Sequence, residues 1–159
     1  MASIDRLKQR SISFHSLPGV GGYNFLSNQF FASPVPLAFQ SWHISDLEML
    51  AHISAFRLWS DDWAGLAITG KTNNEPTKKL LKSGRSRINR RLVMARILSV
   101  GQHRRNFHWD PNRITTSDNF LADSLSKWPD QKHQNLFWVR AGKMGASPSH
   151  STVTDECFS

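Results

Sequence analysis

The sequence predicts an α/β fold, with a mixed sheet carrying helices on its faces. Three observations lead to it. Residues 11–42 mix β-branched, aromatic and turn-forming side chains, apolar residues then recur at helical spacing from Ser45, and short strand-like runs alternate with two further helical stretches downstream. Strands first, then helix, strand, helices, strand and helix, without a regular βαβ repeat, suit strands and helices packed in layers around one core.

In chain order, SISFHS reads as a strand, LPGVGG as a turn, YNFLSNQFF as a strand, and the proline-broken ASPVPLAFQSW as a loop and a third strand. Leu47, Leu50, Ala51, Ser54 and Leu58 then mark an amphipathic helix running to about Asp62, with Asp46, His52 and Arg57 as its polar side. Ser45-Asp46-Leu47-Glu48 fits a capping box, in which serine and glutamate satisfy free backbone donors at a helix start. GLAIT is a short buried strand and GKTNNEP a polar break. TKKLLKSGRSRINRRLVMARILSV contains two helical pieces separated at Gly84, each with an apolar inner side and a basic outer side. NFHW reads as a strand. TSDNFLADSLSKW is a last helix, started by Thr116 or Ser117 and stopped before Pro129. The polar stretch beyond loses its pattern, so residues 131–159 are expected to be a largely disordered tail, with LFWV able to pack on the body.

A chain of 159 residues, 39% hydrophobic, supports one sizeable core. We therefore expect an N-terminal extension over 1–10, one domain over 11–130 and the tail. No apolar run approaches the roughly 18 residues of a membrane span, and MASIDRLKQR lacks the apolar centre of a secretory signal, so an intracellular location, nuclear or cytoplasmic, is expected. The single cysteine, Cys157, excludes an intrachain disulfide, and no Cys/His spacing resembles a zinc site.

Twenty Lys and Arg against twelve Asp and Glu give a formal charge of +8. Ten of those cations fall between Lys78 and Arg105, so the charge is a patch and favours a polyanion or an acidic protein surface. The six tryptophans should be mostly core, and one left exposed would mark a partner surface.

Three motifs carry a resemblance. Asn119-Phe120-Leu121-Ala122-Asp123-Ser124-Leu125-Ser126-Lys127 resembles the Asn-x-x-Ala-Asp-x-Leu-Ser-Arg string near the end of retroelement ribonuclease H domains. His43-Ile44-Ser45-Asp46-Leu47-Glu48 looks like the His-Ile-Asn-x-Leu-Glu element that opens the first helix in tyrosine-recombinase retrotransposons and their relatives. Thr72-Asn73-Asn74 stands where that family usually has Thr-Asp-Asn at the end of its fourth strand. The resemblance covers about residues 11–130 and implies a ribonuclease H-like fold, derived from a retrotransposon-type reverse transcriptase.

It also implies a chemistry. In that family four carboxylates hold two magnesium ions, which activate water to cut RNA paired to DNA. Magnesium needs hard anionic oxygens, because amides and nitrogens neutralise it poorly. Carried over residue by residue, the helix glutamate is Glu48 and the last aspartate is Asp123. The fourth-strand aspartate falls on Asn73, and the first-strand aspartate aligns best with His15, so two of the four acids are lost. Asp5, Asp46 and Asp118 are the nearby acids that could substitute.

The first expectation is thus a catalytically inactive scaffold that binds RNA or an RNA:DNA hybrid through Lys78, Lys79, Lys82, Arg85, Arg87, Arg90 and Arg91, or else binds a protein, with no metal or other cofactor. An assembly module meeting an acidic protein partner is the second. The third is an active magnesium-dependent endonuclease, its metal on Glu48 and Asp123.

Overall fold

Three glycines lie in the first strand, β1 (Gly19–Asn24), of the computed structural model, which describes residues 19–115, 117–128, 130–154 and 157. All six residues of β1 are buried. The glycines admit a helix: a Cβ on Gly21 would sit 2.5 Å from Leu125 Cβ, and one on Gly19 2.9 Å from the Ser126 carbonyl oxygen. GVGG is therefore strand rather than the expected turn, with glycine where another backbone approaches closely. The turn is Phe25–Asn28, where the Leu26 N–H donates to Asn24 Oδ1 at 2.9 Å and Asn28 takes φ 54°. YNFLSNQFF is accordingly a hairpin, with β2 (Gln29–Pro34) antiparallel to β1 and Tyr23 opposite Phe30. Downstream, the expected third strand is replaced by a 3₁₀ turn at Leu37–Phe39, since Pro34 and Pro36 bring no N–H to a ladder. SISFHS lies outside the described residues.

Helix α1 (Ile44–Trp59) continues as a 3₁₀ turn over Ser60–Trp63, close to the expected end. Its amphipathic reading needs correction, because Asp46, Glu48, His52 and Ser54 are buried along with the apolar residues. A helix buried on every side has to pair its polar groups internally. The capping box also fails: His43 is the N-cap, its Nδ1 accepting the Ser45 N–H at 3.2 Å, while Glu48 turns to another partner.

Strand β3 (Ala67–Thr72) leads into α2 (Glu75–Ser83), which ends at left-handed Gly84 with φ 62°, and then α3 (Asn89–Arg105). The predicted break at Gly84 is where the structure has it. Strand β4 (His108–Arg113) runs parallel to β3, with Ile68 opposite Trp109 and Gly70 opposite Pro111. β4 bonds to β3 alone among the described strands, and that edge position tolerates a proline. Helix α4 (Phe120–Ser126) starts later than predicted, with Asn119 as its cap residue, and lies across β1.

Residues expected to form a disordered tail hold helix α5 (Gln131–Lys143) and strand β5 (Ser149–His150), which pairs in parallel with β2. Phe137 and Ala141, one helical turn apart, are fully buried, and this narrow stripe suffices to dock a helix whose remaining surface is mostly polar.

The result is a mixed α/β structure whose described strands form two small sheets, β1-β2-β5 and β3-β4, rather than one central sheet. The main core joins α1, β3, α3 and β4 around Trp59, Trp63 and Trp109; a second core gathers Tyr23, Phe30, Leu125 and Phe137. No described helix is long and apolar enough to cross a membrane.

Candidate functional site

Glu48 lies one helical turn after Ser45 on α1 and faces the end of β3, where the chain leaves the strand and enters α2. The Thr72 hydroxyl donates to Glu48 Oε2 at 3.0 Å and accepts the Asn74 N–H at 3.1 Å. Asn74 caps α2, its Oδ1 accepting the Thr77 N–H at 2.9 Å, and the Thr77 hydroxyl donates to the Ser45 carbonyl at 3.4 Å. This network ties the start of α1 to the start of α2. Sequence reading singled out Thr72-Asn73-Asn74 and Glu48 separately; their junction through two threonine hydroxyls was missed.

Glu48 is 1% exposed. Burial pushes its carboxyl up to about 8, and the Thr72 and Thr77 hydroxyls only partly offset this. At neutral pH the group is mostly a neutral acid. Burial likewise holds His52 down to about 3, edge-on to the Trp109 ring with centroids 5.6 Å apart.

Asn73 follows Thr72 directly in the chain and is half-buried. Asp123 is not brought to that corner by any described hydrogen bond or ion pair; its carboxylate takes Lys127 Nζ at 3.0 Å, one turn along α4. His15 and Asp5 lie outside the described residues. Of the other acids, Asp118 is exposed and accepts the Thr115 hydroxyl at 2.6 Å, and Asp46 is engaged by two arginines. Among the described residues no group of three or more His, Cys, Asp or Glu is placed to hold a metal ion.

The basic patch divides in two. Arg90 and Arg91 converge on Asp46, with Arg90 Nε 3.0 Å from Oδ2, and Arg90 also stacks on the Trp42 ring. Asp46 is fully buried, so both arginines neutralise a core carboxylate, Arg91 half-buried against it and Arg90 with its side chain still exposed. The exposed face expected of both arginines holds for Arg90, whereas Arg91 is drawn partly inward by Asp46. Lys78 leans toward Glu75 at 4.0 Å. Lys79, Lys82, Arg85 and Arg87, on the end of α2 and the turn after it, are exposed and form no ion pair among the described residues.

No protein-family model, curated protein or solved structure matches the chain. Trp59, Trp63 and Trp109 are core, as expected of most tryptophans here, while Trp138 on α5 is 46% exposed.

Proposed function

We propose that the chain is a catalytically inactive ribonuclease H-like module of retroelement type that acts as a nucleic-acid-binding scaffold. The carrying observation is the run of Lys79, Lys82, Arg85 and Arg87 on the end of α2 and the turn after it, four exposed cations that form no ion pair among the described residues. Unpaired cations at one turn suit a phosphate backbone, whose counterions are released on binding. Supporting the ribonuclease H-like reading are the antiparallel hairpin before α1, the parallel pair β3-β4 linked through helices, and Glu48 lodged against the Thr72-Asn73-Asn74 corner.

The inactive reading rests on the fit of the residues to magnesium. A pair of divalent ions needs several anionic oxygens facing one space. Glu48 is buried, hydrogen-bonded and mostly neutral, Asn73 is an amide, and Asp123 is paired with Lys127. The described residues do not fit two magnesium ions.

The test is binding of an RNA:DNA hybrid, an RNA and a DNA across a salt series, with a parallel magnesium-dependent cleavage assay. Log affinity should fall linearly with log salt, and the variant Lys79→Gln, Lys82→Gln, Arg85→Gln, Arg87→Gln should flatten that slope by a few units, roughly one for each phosphate no longer neutralised. Absence of binding at low salt sinks the scaffold reading. Hybrid cleavage that disappears in Asp123→Asn sinks the inactive one.

A further inference from the structure

A groove runs along the seam between α1 and α3. Its floor is apolar, formed by Leu50 and Ile53 from α1 and by Val93, Ile97 and Val100 from α3. Two adjoining hollows make it up, of about 340 Å³ beside Trp42 and about 620 Å³ beside Phe56, and they share Arg57, Val93 and Ile97. Val93, Ile97 and Val100 follow the four-then-three spacing of one helical stripe. That stripe is left open: Val93 is 46% and Val100 48% exposed. At the far end Gly101 lets the groove floor close, since a Cβ there would stand 2.2 Å from the Phe56 ring.

The rim is rich in arginine. Arg57, Arg90, Arg96, Arg104 and Arg105 line the two hollows and no Asp or Glu does. Arg90 and Arg105 are held by Asp46 and Asp61. Arg96 and Arg104 are exposed and form no ion pair among the described residues.

We propose that this groove docks an amphipathic helix from another protein, apolar along one stripe and acidic on its flanks. A helix laid in a groove buries an i, i+3/i+4, i+7 stripe against such a floor. From Arg90 to Arg104 the seam runs roughly 20 Å at about 1.5 Å per residue, which matches some four turns of a partner helix. Charge selects the occupant. A second copy of this chain carries +8, and residues 1–10 set Asp5 against Arg6, Lys8 and Arg10, so neither complements an arginine rim. A nucleic acid would match the rim but leave the valine and isoleucine floor without an apolar partner.

The test uses the full chain and three synthetic 18-residue probes followed by fluorescence anisotropy: a leucine-striped helix flanked by glutamates, the same stripe flanked by lysines, and a scrambled sequence of the first. Only the first should bind, and raising salt should weaken it without abolishing it. Val93→Ser with Val100→Ser should weaken it about tenfold while the melting curve stays close to that of the parent, because both side chains are surface-exposed. Arg96→Gln with Arg104→Gln should do the same, and serves alone if the serine variant melts early. No binding of the glutamate probe at low salt overturns the proposal, as does equal binding of the scrambled probe or an unchanged affinity in both variants. Concentration-dependent dimerisation that the probe disrupts would assign the groove to a second copy. Displacement of the probe by an RNA:DNA hybrid whose own binding fails in the serine variant would assign it to nucleic acid. Either outcome also overturns the acidic-helix reading; the first leaves the lysine and arginine turn proposed for phosphate binding untouched, and the second would move hybrid binding from that turn to the groove.

Discussion

Asp46, fully buried in the first turn of α1, accepts the Arg90 Nε–H at 3.0 Å across 44 residues of sequence, and Arg91 joins it on the other carboxylate oxygen. Burying a carboxylate is costly unless it is paired and hydrogen-bonded in this way. The pair thereby pins the start of α3 to the start of α1.

Removing both arginines should destabilise the fold strongly. Arg90→Gln with Arg91→Gln leaves the Asp46 charge uncompensated, and a loss of about 3–5 kcal/mol is expected in urea unfolding. Adding Asp46→Asn to that double variant should restore much of it. A double variant as stable as the parent would show the ion pairs to be ornamental, and would make these arginines available to phosphate after all.

Glu48 sets a pH dependence of unusual sign. Its folded carboxyl lies at about 8, above the ordinary value of 4.5, so the folded state binds the extra proton. The associated stability is fully present below about pH 4.5 and is lost as pH rises toward 8, by up to about 1.4 kcal/mol per pH unit. Glu48→Gln, a neutral amide of the same shape, should flatten this limb and become more stable than the parent above pH 8. Stability measured from pH 4.5 to 9 in parent and variant decides it: parallel curves exclude Glu48 as the titrating group.

Gly21→Ala probes the packing of β1 against α4. The added Cβ would meet Leu125 Cβ at 2.5 Å and the Leu125 carbonyl carbon at 2.7 Å, and neither can rotate away. Overpacking of about 1–3 kcal/mol or more is expected. In contrast Gly142, which has nothing within 4 Å of such a Cβ, should accept alanine with little change. Equal melting temperatures for the two variants would contradict the packing described.

Phe137→Ala tests whether α5 belongs to the folded body. The ring is fully buried and lies 4.8 Å from the Phe30 ring and 5.6 Å from Trp128, centroid to centroid. Truncation should cost about 3–5 kcal/mol. A change within a few tenths of a kcal/mol would return residues 131–143 to the status of a tail.

Much of the element order was legible from local signals, because helical spacing, Gly84 and the apolar run GLAIT act within a few residues of chain. Sequence by itself determined the mixed α/β class, the positions of α1, α2, α3 and α4 to within a few residues, and the concentration of cations between Lys78 and Arg105. Tertiary structure alone decided which polar residues go inside. Ser45 and Glu48 at capping-box spacing, Asp46 at a surface position and glycines at a turn are each sound local readings. They are overridden because a threonine, two arginines and a crossing helix, all distant in sequence, offer Glu48, Asp46 and Gly21 partners that no local pattern can announce. The same physics divided the basic patch: Arg90 and Arg91 satisfy a buried charge, and Lys79, Lys82, Arg85 and Arg87 are left facing outward.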